Sequence, residues 1–333
     1  MTRPATSLLL LLTLAACGSS PSSSNDSSTT TATDTGGTSA DTASPTSAAS
    51  TGTVATGDEL GTTSASTSAG SSVDGVDIGS SDDGPSVGCG NASAPLGEQQ
   101  RSLMIQGVER TFIVDAPQQI DPELPLALVF VFHGNGGNGQ ASQGMGLQNV
   151  PGAQDQAVFV FPDGIQYMGF GVGWDGVCEE YDMEFFDTMI ATLSEDYCID
   201  SQRIFAGGFS WGGDMCQALA CCRGDVVRAI APASGPEFYP STYPAACPDT
   251  VRPAFRMTYA TNDAYPPQMF ADTIEWHRTQ QSCSGDPMPT EPAPCVAYQD
   301  CDQPVVACEY EGLGHAWPGD WADETWAFFS QLE

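Results

Sequence analysis

The chain has 333 residues, and nine cationic side chains face forty-two acidic ones, giving a formal net charge of -33. All nine cations are arginines, so a Schiff-base lysine, a pyridoxal-phosphate anchor and a Walker lysine are excluded. Without a basic patch, neither nucleic acid nor anionic lipid head groups are expected partners; acidity on this scale speaks to solubility rather than to fold.

At the N-terminus, Arg3 precedes a short Leu-rich run, Ser7–Leu14, too short to span a bilayer. It ends in Leu14-Ala15-Ala16-Cys17-Gly18, which resembles the lipobox of bacterial lipoproteins. The resemblance implies signal cleavage before Cys17 and lipidation of that residue. The chain is therefore expected to be exported, then lipid-anchored at the cell envelope or surface, or secreted, touching membrane only through that lipid. Residues 18–88 are almost entirely Ser, Thr, Gly, Ala and Asp. They have too little apolar surface to offset the entropy of ordering, and read as a flexible tether. From Cys89 the composition turns aromatic and β-branched, so residues 89–333 are expected to form one domain. Setting Cys17 aside leaves an odd number of cysteines, so disulfides are expected with at least one thiol left over. No cysteine spacing points to a structural zinc site, and no metal or cofactor is expected.

Within that domain, 102–105 and 110–114 read as a hairpin around Gly107. The apolar runs 126–132 and 157–161 read as buried strands. Helical spacing of Met183, Phe186, Met189, Ile190 and Leu193 predicts a helix over 180–197. A strand at 203–206 leads directly into Gly207-Gly208-Phe209-Ser210-Trp211-Gly212-Gly213, then a helix over 214–222. Strands at 227–231, 254–259 and 305–310 and helices at 273–281 and 321–332 follow. This alternation predicts an α/β fold with a mainly parallel sheet covered by helices on both faces.

Gly208-Phe209-Ser210-Trp211-Gly212 fits G-x-S-x-G between a strand and a helix. The tight turn exposes Ser210 at a helix N-terminus, where backbone N–H groups are unpaired. A serine nucleophile requires a base, and the chain has three histidines. His277 lies inside a helix. His133 precedes the nucleophile and borders a Gly-rich loop. His315, in Gly314-His315-Ala316-Trp317-Pro318-Gly319, follows a strand near the C-terminus and fits the order Ser, acid, His. The acid falls between them. Asp263 follows the strand 254–259, whereas Asp249, Asp272 and Asp286 compete less well: one precedes that strand, one starts a helix, one lies in a Cys-rich insertion. The oxyanion donors are expected to be the backbone N–H of Trp211 and that of Asn135 or Gly134. Trp174, Trp317 and Tyr167 are expected to contact substrate.

These motifs resemble the secreted feruloyl esterase, acetylxylan esterase and polyhydroxybutyrate depolymerase group of the α/β-hydrolases. The resemblance is carried by 182–185, 197–204, Gly207 to Gly213, 219–221, Phe132-His133-Gly134, Phe161-Pro162-Asp163-Gly164, and Gly314 to Gly319. It extends through Cys283, Cys295, Cys301 and Cys308 and covers roughly residues 89–333. It implies an α/β-hydrolase fold with Ser210, Asp263 and His315 as the triad, acting on feruloyl or acetyl esters of xylan. A polyhydroxybutyrate depolymerase is the alternative within the group, and a non-catalytic, surface-tethered binding lipoprotein the alternative outside it. A monomer is expected. Three departures from the group's pattern bear on substrate rather than reaction: Trp211 beside the nucleophile, Tyr259-Ala260 before the acid loop, and the adjacent pair Cys221-Cys222.

Overall fold

The computed structural model describes residues 86–167, 169–237, 247 and 252–332. The expected signal segment, Cys17, nearly all of the tether, and Asp249 lie outside the described residues.

The strands are Gly97–Ile105 (β1), Val108–Ala116 (β2), Leu126–Phe132 (β3), Ala157–Pro162 (β4), Ile165–Tyr167 (β5), Gly171–Gly173 (β6), Ile199–Phe209 (β7), Ala229–Ala233 (β8), Ala254–Ala260 (β9), Met288–Pro289 (β10), Cys295–Ala297 (β11) and Val305–Tyr310 (β12). The helices are Gly139–Gln143 (α1), Tyr181–Asp196 (α2), Trp211–Cys222 (α3), Pro267–Gln280 (α4) and Trp321–Phe329 (α5). Ten strands form one sheet in the order β1-β2-β4-β3-β7-β8-β9-β12-β11-β10. Its centre, from β4 to β12, is parallel; β1, β2, β10 and β11 add antiparallel edges. β5 and β6 pair only with each other, antiparallel.

Every residue of β3, Leu-Ala-Leu-Val-Phe-Val-Phe, is buried because both faces of the sheet are covered. Alternation along the strand divides its side chains between two cores. Leu128, Phe130 and Phe132 pack with Met183, Phe186 and Met189 of α2 and with Leu219 of α3. Val129 and Val131 pack with Trp321, Trp326 and Phe329 of α5.

The structure departs from expectation mainly at element ends. β7 runs through Gly207 and Gly208 to Phe209, and α3 starts at Trp211, so strand meets helix at Ser210 with no loop. α4 begins at Pro267 because proline's fixed φ and missing donor suit the first turn. Asp272 therefore sits inside that helix, held by Gln268 at 2.7 Å, rather than at its start. Ser86 Oγ donates to the Tyr197 carbonyl, and Gly88 N–H donates to the Ser194 carbonyl. The short hairpin β5–β6 carries no hydrophobic periodicity and is not expected from the sequence.

Five disulfides close the described body: Cys89–Cys198, Cys178–Cys222, Cys221–Cys247, Cys283–Cys301 and Cys295–Cys308. Cys216 remains a buried free thiol, which accounts for the odd count. The adjacent Cys221 and Cys222 end α3 and tie it to two different segments. Their sulfurs lie near that of Cys178 in a metal-like cluster, but all three are bonded in disulfides and offer no thiolate. This density of disulfides places the protein in an oxidising compartment.

Candidate active site

Ser210 has φ 54° and ψ -123°, in the left-handed half of backbone space that a serine adopts only when its surroundings impose it. Here close approach imposes it. A Cβ on Gly208 would meet the Gly212 carbonyl oxygen at 2.5 Å, and one on Gly212 would meet the Phe132 carbonyl oxygen within van der Waals overlap. The Ser210 N–H donates to the Ala233 carbonyl at 2.9 Å, fixing the turn to β8. The side chain then stands at the C-terminal ends of the parallel strands, the usual place for ligand chemistry in open α/β sheets.

Asp263 lies three residues past β9 and His315 five past β12, two strands that run side by side. Their loops are laced together: Thr261 N–H donates to the Tyr310 carbonyl, and Gly314 N–H to Asn262 Oδ1 at 2.8 Å. His315 Nε2 is 2.9 Å from Ser210 Oγ, and Nδ1 is 2.9 Å from Asp263 Oδ1. The carboxylate partner on Nδ1 selects the tautomer that leaves Nε2 as acceptor. The Asp263 side chain is only 1% exposed. Its second oxygen accepts the hydroxyl of Ser234 at 2.6 Å. Ser234 is fully buried with φ 50° and follows β8 directly. Sequence reasoning missed it, although a polar residue immediately after the apolar strand Ala229–Ala233 was the available signal.

The loop after β3 presses on the nucleophile: a Cβ on Gly134 would stand 3.2 Å from Ser210 Cβ. Asn135 is held from the side. Its Nδ2 donates to the Phe170 carbonyl at 3.0 Å, and the next amide, Gly136 N–H, donates to the Val172 carbonyl. Among the described residues, the backbone amides of Asn135 and Trp211 have no protein acceptor. His133 belongs to the framework. Its buried ring accepts the Gly164 N–H at Nε2, donates from Nδ1 to the Gly134 carbonyl, and is pushed down in pKa by burial. His277 is likewise a packing residue, stacked on Phe255 at 3.6 Å and bonded to Gln217.

A cavity of about 330 Å³ opens at Ser210, lined by Asn135, Phe170, Trp211, Asp214, Glu237 and Tyr265. Of the three residues expected to contact substrate, none lines it. Trp174 is a correction: it is 1% exposed, and its indole N–H donates to the His133 carbonyl, so it supports the loop from beneath. Trp317 packs edge-on against Phe209 beside the relay. Tyr167 stands 6.0 Å from the Trp211 ring and donates to Asp182, behind the cavity wall. Tyr265, Asp214 and Glu237 took no part in the sequence reading, because three separate segments bring them together.

The sheet and the strand–serine–helix turn are those of the α/β-hydrolase fold. Among solved structures, the acetyl xylan esterase from Aspergillus awamori superposes with a TM-score of 0.56 at 17% identity, covering 69% of this chain and 99% of that one. In sequence the likeness is to feruloyl esterases. Feruloyl esterase C of Emericella nidulans is 37% identical over 131 residues, 38% of this chain and 46% of that enzyme. Feruloyl esterase D of Neurospora crassa is 33% identical over 142 residues, 39% of this chain and 47% of that enzyme. The chain thus spans about half the length of the curated relatives it matches. No family model matches it.

Proposed function

We propose that the protein is a serine carboxylic ester hydrolase acting on feruloyl or acetyl esters of plant cell-wall xylan. The observation that carries this reading is the unbroken relay Ser210–His315–Asp263, with both links at 2.9 Å, on a strained turn facing a cavity. Ser210 Oγ attacks the ester carbonyl while His315 Nε2 takes its proton. Asp263 stabilises the imidazolium, and Ser234 stabilises the carboxylate. The oxyanion is met by the N–H groups of Trp211 and Asn135. Collapse of the tetrahedral intermediate breaks the carbon–oxygen bond to the alcohol, which leaves with the imidazolium proton. Water, deprotonated by His315, then frees the acid and restores Ser210. The feruloyl preference is supported by the names of the sequence relatives and by Trp211 and Phe170 on the cavity wall, and the acetyl alternative by the name of the structural neighbour. The same reading includes an N-terminal signal ending at a lipidated Cys17, a tether, and one catalytic domain; mass spectrometry of the mature N-terminus tests the lipid.

The test is Ser210→Ala, assayed on p-nitrophenyl acetate, methyl ferulate and acetylated xylan. Loss of at least about 10⁴-fold in turnover with an unchanged circular dichroism spectrum is expected. Undiminished hydrolysis would sink the assignment.

A further inference from the structure

Tyr265 enters the site from a side the relay leaves unused. It follows Asp263 by two residues, and its N–H donates at 3.1 Å to Asp263 Oδ1, the oxygen that also holds His315. That bond fixes the turn and sets the phenol ring edge-on to the imidazole, with centroids 5.6 Å apart. The phenol hydroxyl donates to Asp214 Oδ2 at 3.1 Å, and Tyr265 lines the same cavity as Ser210. Asp214 is 3% exposed, and its other oxygen accepts the Glu237 N–H at 2.8 Å. The Ser–His–Asp relay does not require a buried carboxyl four residues after the nucleophile. This one points at a single phenol, and that phenol points into the cavity beside the imidazole, which returns the proton to the departing alcohol.

We propose that Tyr265 is a second hydroxyl of the reaction centre, aimed by Asp214 to donate a hydrogen bond to the alcohol-side oxygen of the ester as its bond to carbon breaks. The inference rests on the ester-hydrolase reading above. It makes the site one suited to esters of poorly leaving, strongly basic alkoxides, such as sugar or methyl esters. For these, a donor at the leaving oxygen lowers the barrier most, because that oxygen carries the most charge in the transition state. The hydrogen-bond logic agrees. Burial, reinforced by the Glu237 charge, pushes the Asp214 carboxyl well above the ordinary range. Burial, reinforced by Asp214, pushes the Tyr265 phenol up. The other titratable group facing Asp214, the Cys216 thiol, is also pushed up by burial and stays neutral. The phenol therefore keeps its proton, and the hydroxyl that donates to Asp214 Oδ2 turns about its C–O bond to donate to an ester oxygen in the cavity.

The test compares two ferulate esters that share the acyl group and differ in the leaving group: methyl ferulate, whose alkoxide is a strong base, and p-nitrophenyl ferulate, whose phenolate is a weak one. Tyr265→Phe keeps the ring and removes the hydroxyl. Its kcat/KM on methyl ferulate is expected to fall about 10- to 100-fold, the kinetic size of one hydrogen bond to a developing charge. The fall on p-nitrophenyl ferulate is expected to be several-fold smaller. Equal losses on both substrates mean a merely structural role and overturn the proposal, as does no loss on either. Asp214→Asn, whose amide oxygen still accepts from the phenol, is expected to hold the methyl-to-aryl ratio near that of the wild type, whereas Asp214→Ala lowers it as Tyr265→Phe does. An Asp214→Ala enzyme with the wild-type ratio overturns the aiming role. If the Asp214 variants do not fold, the Tyr265→Phe ratio alone decides. Failure of the underlying reading is seen separately, as retained hydrolysis of both esters by Ser210→Ala.

Discussion

The nucleophile turn and the β5–β6 hairpin both bear on Trp211, yet different forces hold them. The turn is a matter of backbone sterics and apolar packing: glycines where a Cβ has no room, β7 buried in the sheet centre, α3 starting at once. The hairpin has two three-residue strands paired only with each other, too little to be stable alone. It is clamped by buried charge. Asp182 pairs with Arg110 at 2.7 Å with both side chains fully buried, accepts the Tyr167 hydroxyl at 3.0 Å, and takes the Asp175 N–H. Gly173 lies flat under the Trp211 ring, where a Cβ would stand 2.3 Å from Cε3. Thus the turn is set by sterics and packing, and the hairpin by buried charge. Substitutions that separate the two sides test this division.

The largest effect is expected on the relay side and in rate alone. His315→Ala should lower kcat by about 10⁴-fold or more, since removing the base disables the nucleophile with it. The His315 side chain is 30% exposed and carries no core packing, so the melting temperature should stay within about 2 °C. Steady-state kinetics and a thermal melt on the same preparation check both halves. A melting temperature lowered as far as the rate would erase the contrast between the regions.

The converse holds at the clamp. Arg110→Met leaves Asp182 buried without its counter-ion, and should cost about 3–5 kcal/mol of stability in urea unfolding. Arg110 also packs its guanidinium 4.3 Å above the Phe185 ring. The paired change Arg110→Met with Asp182→Leu removes both charges and should recover much of that loss. Recovery in stability without recovery in activity would show that the hairpin, and the Asn135 amide it braces, follow the charge network.

The same division explains what was legible in the sequence. The turn announced itself because its requirements are local: glycines two residues either side of Ser210, an apolar strand before, a helix after. The scarcity of histidine then narrowed the base to His315, since His133 and His277 fell on framework positions. β3 and β4 were readable from unbroken apolar runs. The hairpin was not, because Ile165–Tyr167 and Gly171–Gly173 have neither length nor alternation. Trp174 was misplaced for a related reason. An aromatic near a Gly-rich segment reads alike whether it faces the cavity or the core, and only the bond to the His133 carbonyl shows which. Ser234, Asp214, Glu237 and Tyr265 meet their partners across 23 to 51 residues by tertiary contact, and no periodicity encodes that.

Ser234→Ala probes a link of intermediate size. It removes the 2.6 Å hydrogen bond to the Asp263 carboxylate but leaves the relay intact. A hydrogen bond to a charged group is worth about 1.5–3 kcal/mol, so kcat should fall roughly 10- to 100-fold if the bond matters most once His315 is charged. KM should change little. A raised KM with unchanged kcat would instead mean that Ser234 shapes the cavity and leaves the acid alone.

The smallest effect lies in the pH response of the clamp. Burial, with the neighbouring Asp182 charge, raises the Asp175 carboxyl to about 7, against roughly 3.9 in an unfolded chain. Between about pH 4 and pH 7 the folded protein therefore holds a proton that the unfolded chain has lost. Stability from this group must fall as pH rises through that window, be lowest above it, and be unaffected below it. Asp175→Asn removes the titration while keeping an acceptor for the Val177 N–H. The variant and wild type should melt together near pH 4, and at pH 8 the variant should melt about 2–4 °C higher. Melting curves that run parallel across the range would mean that the Asp175 charge is relieved by solvent. In that case the clamp is held by the Arg110–Asp182 pair alone, and the hairpin side of the cavity is charge-dependent but not pH-dependent.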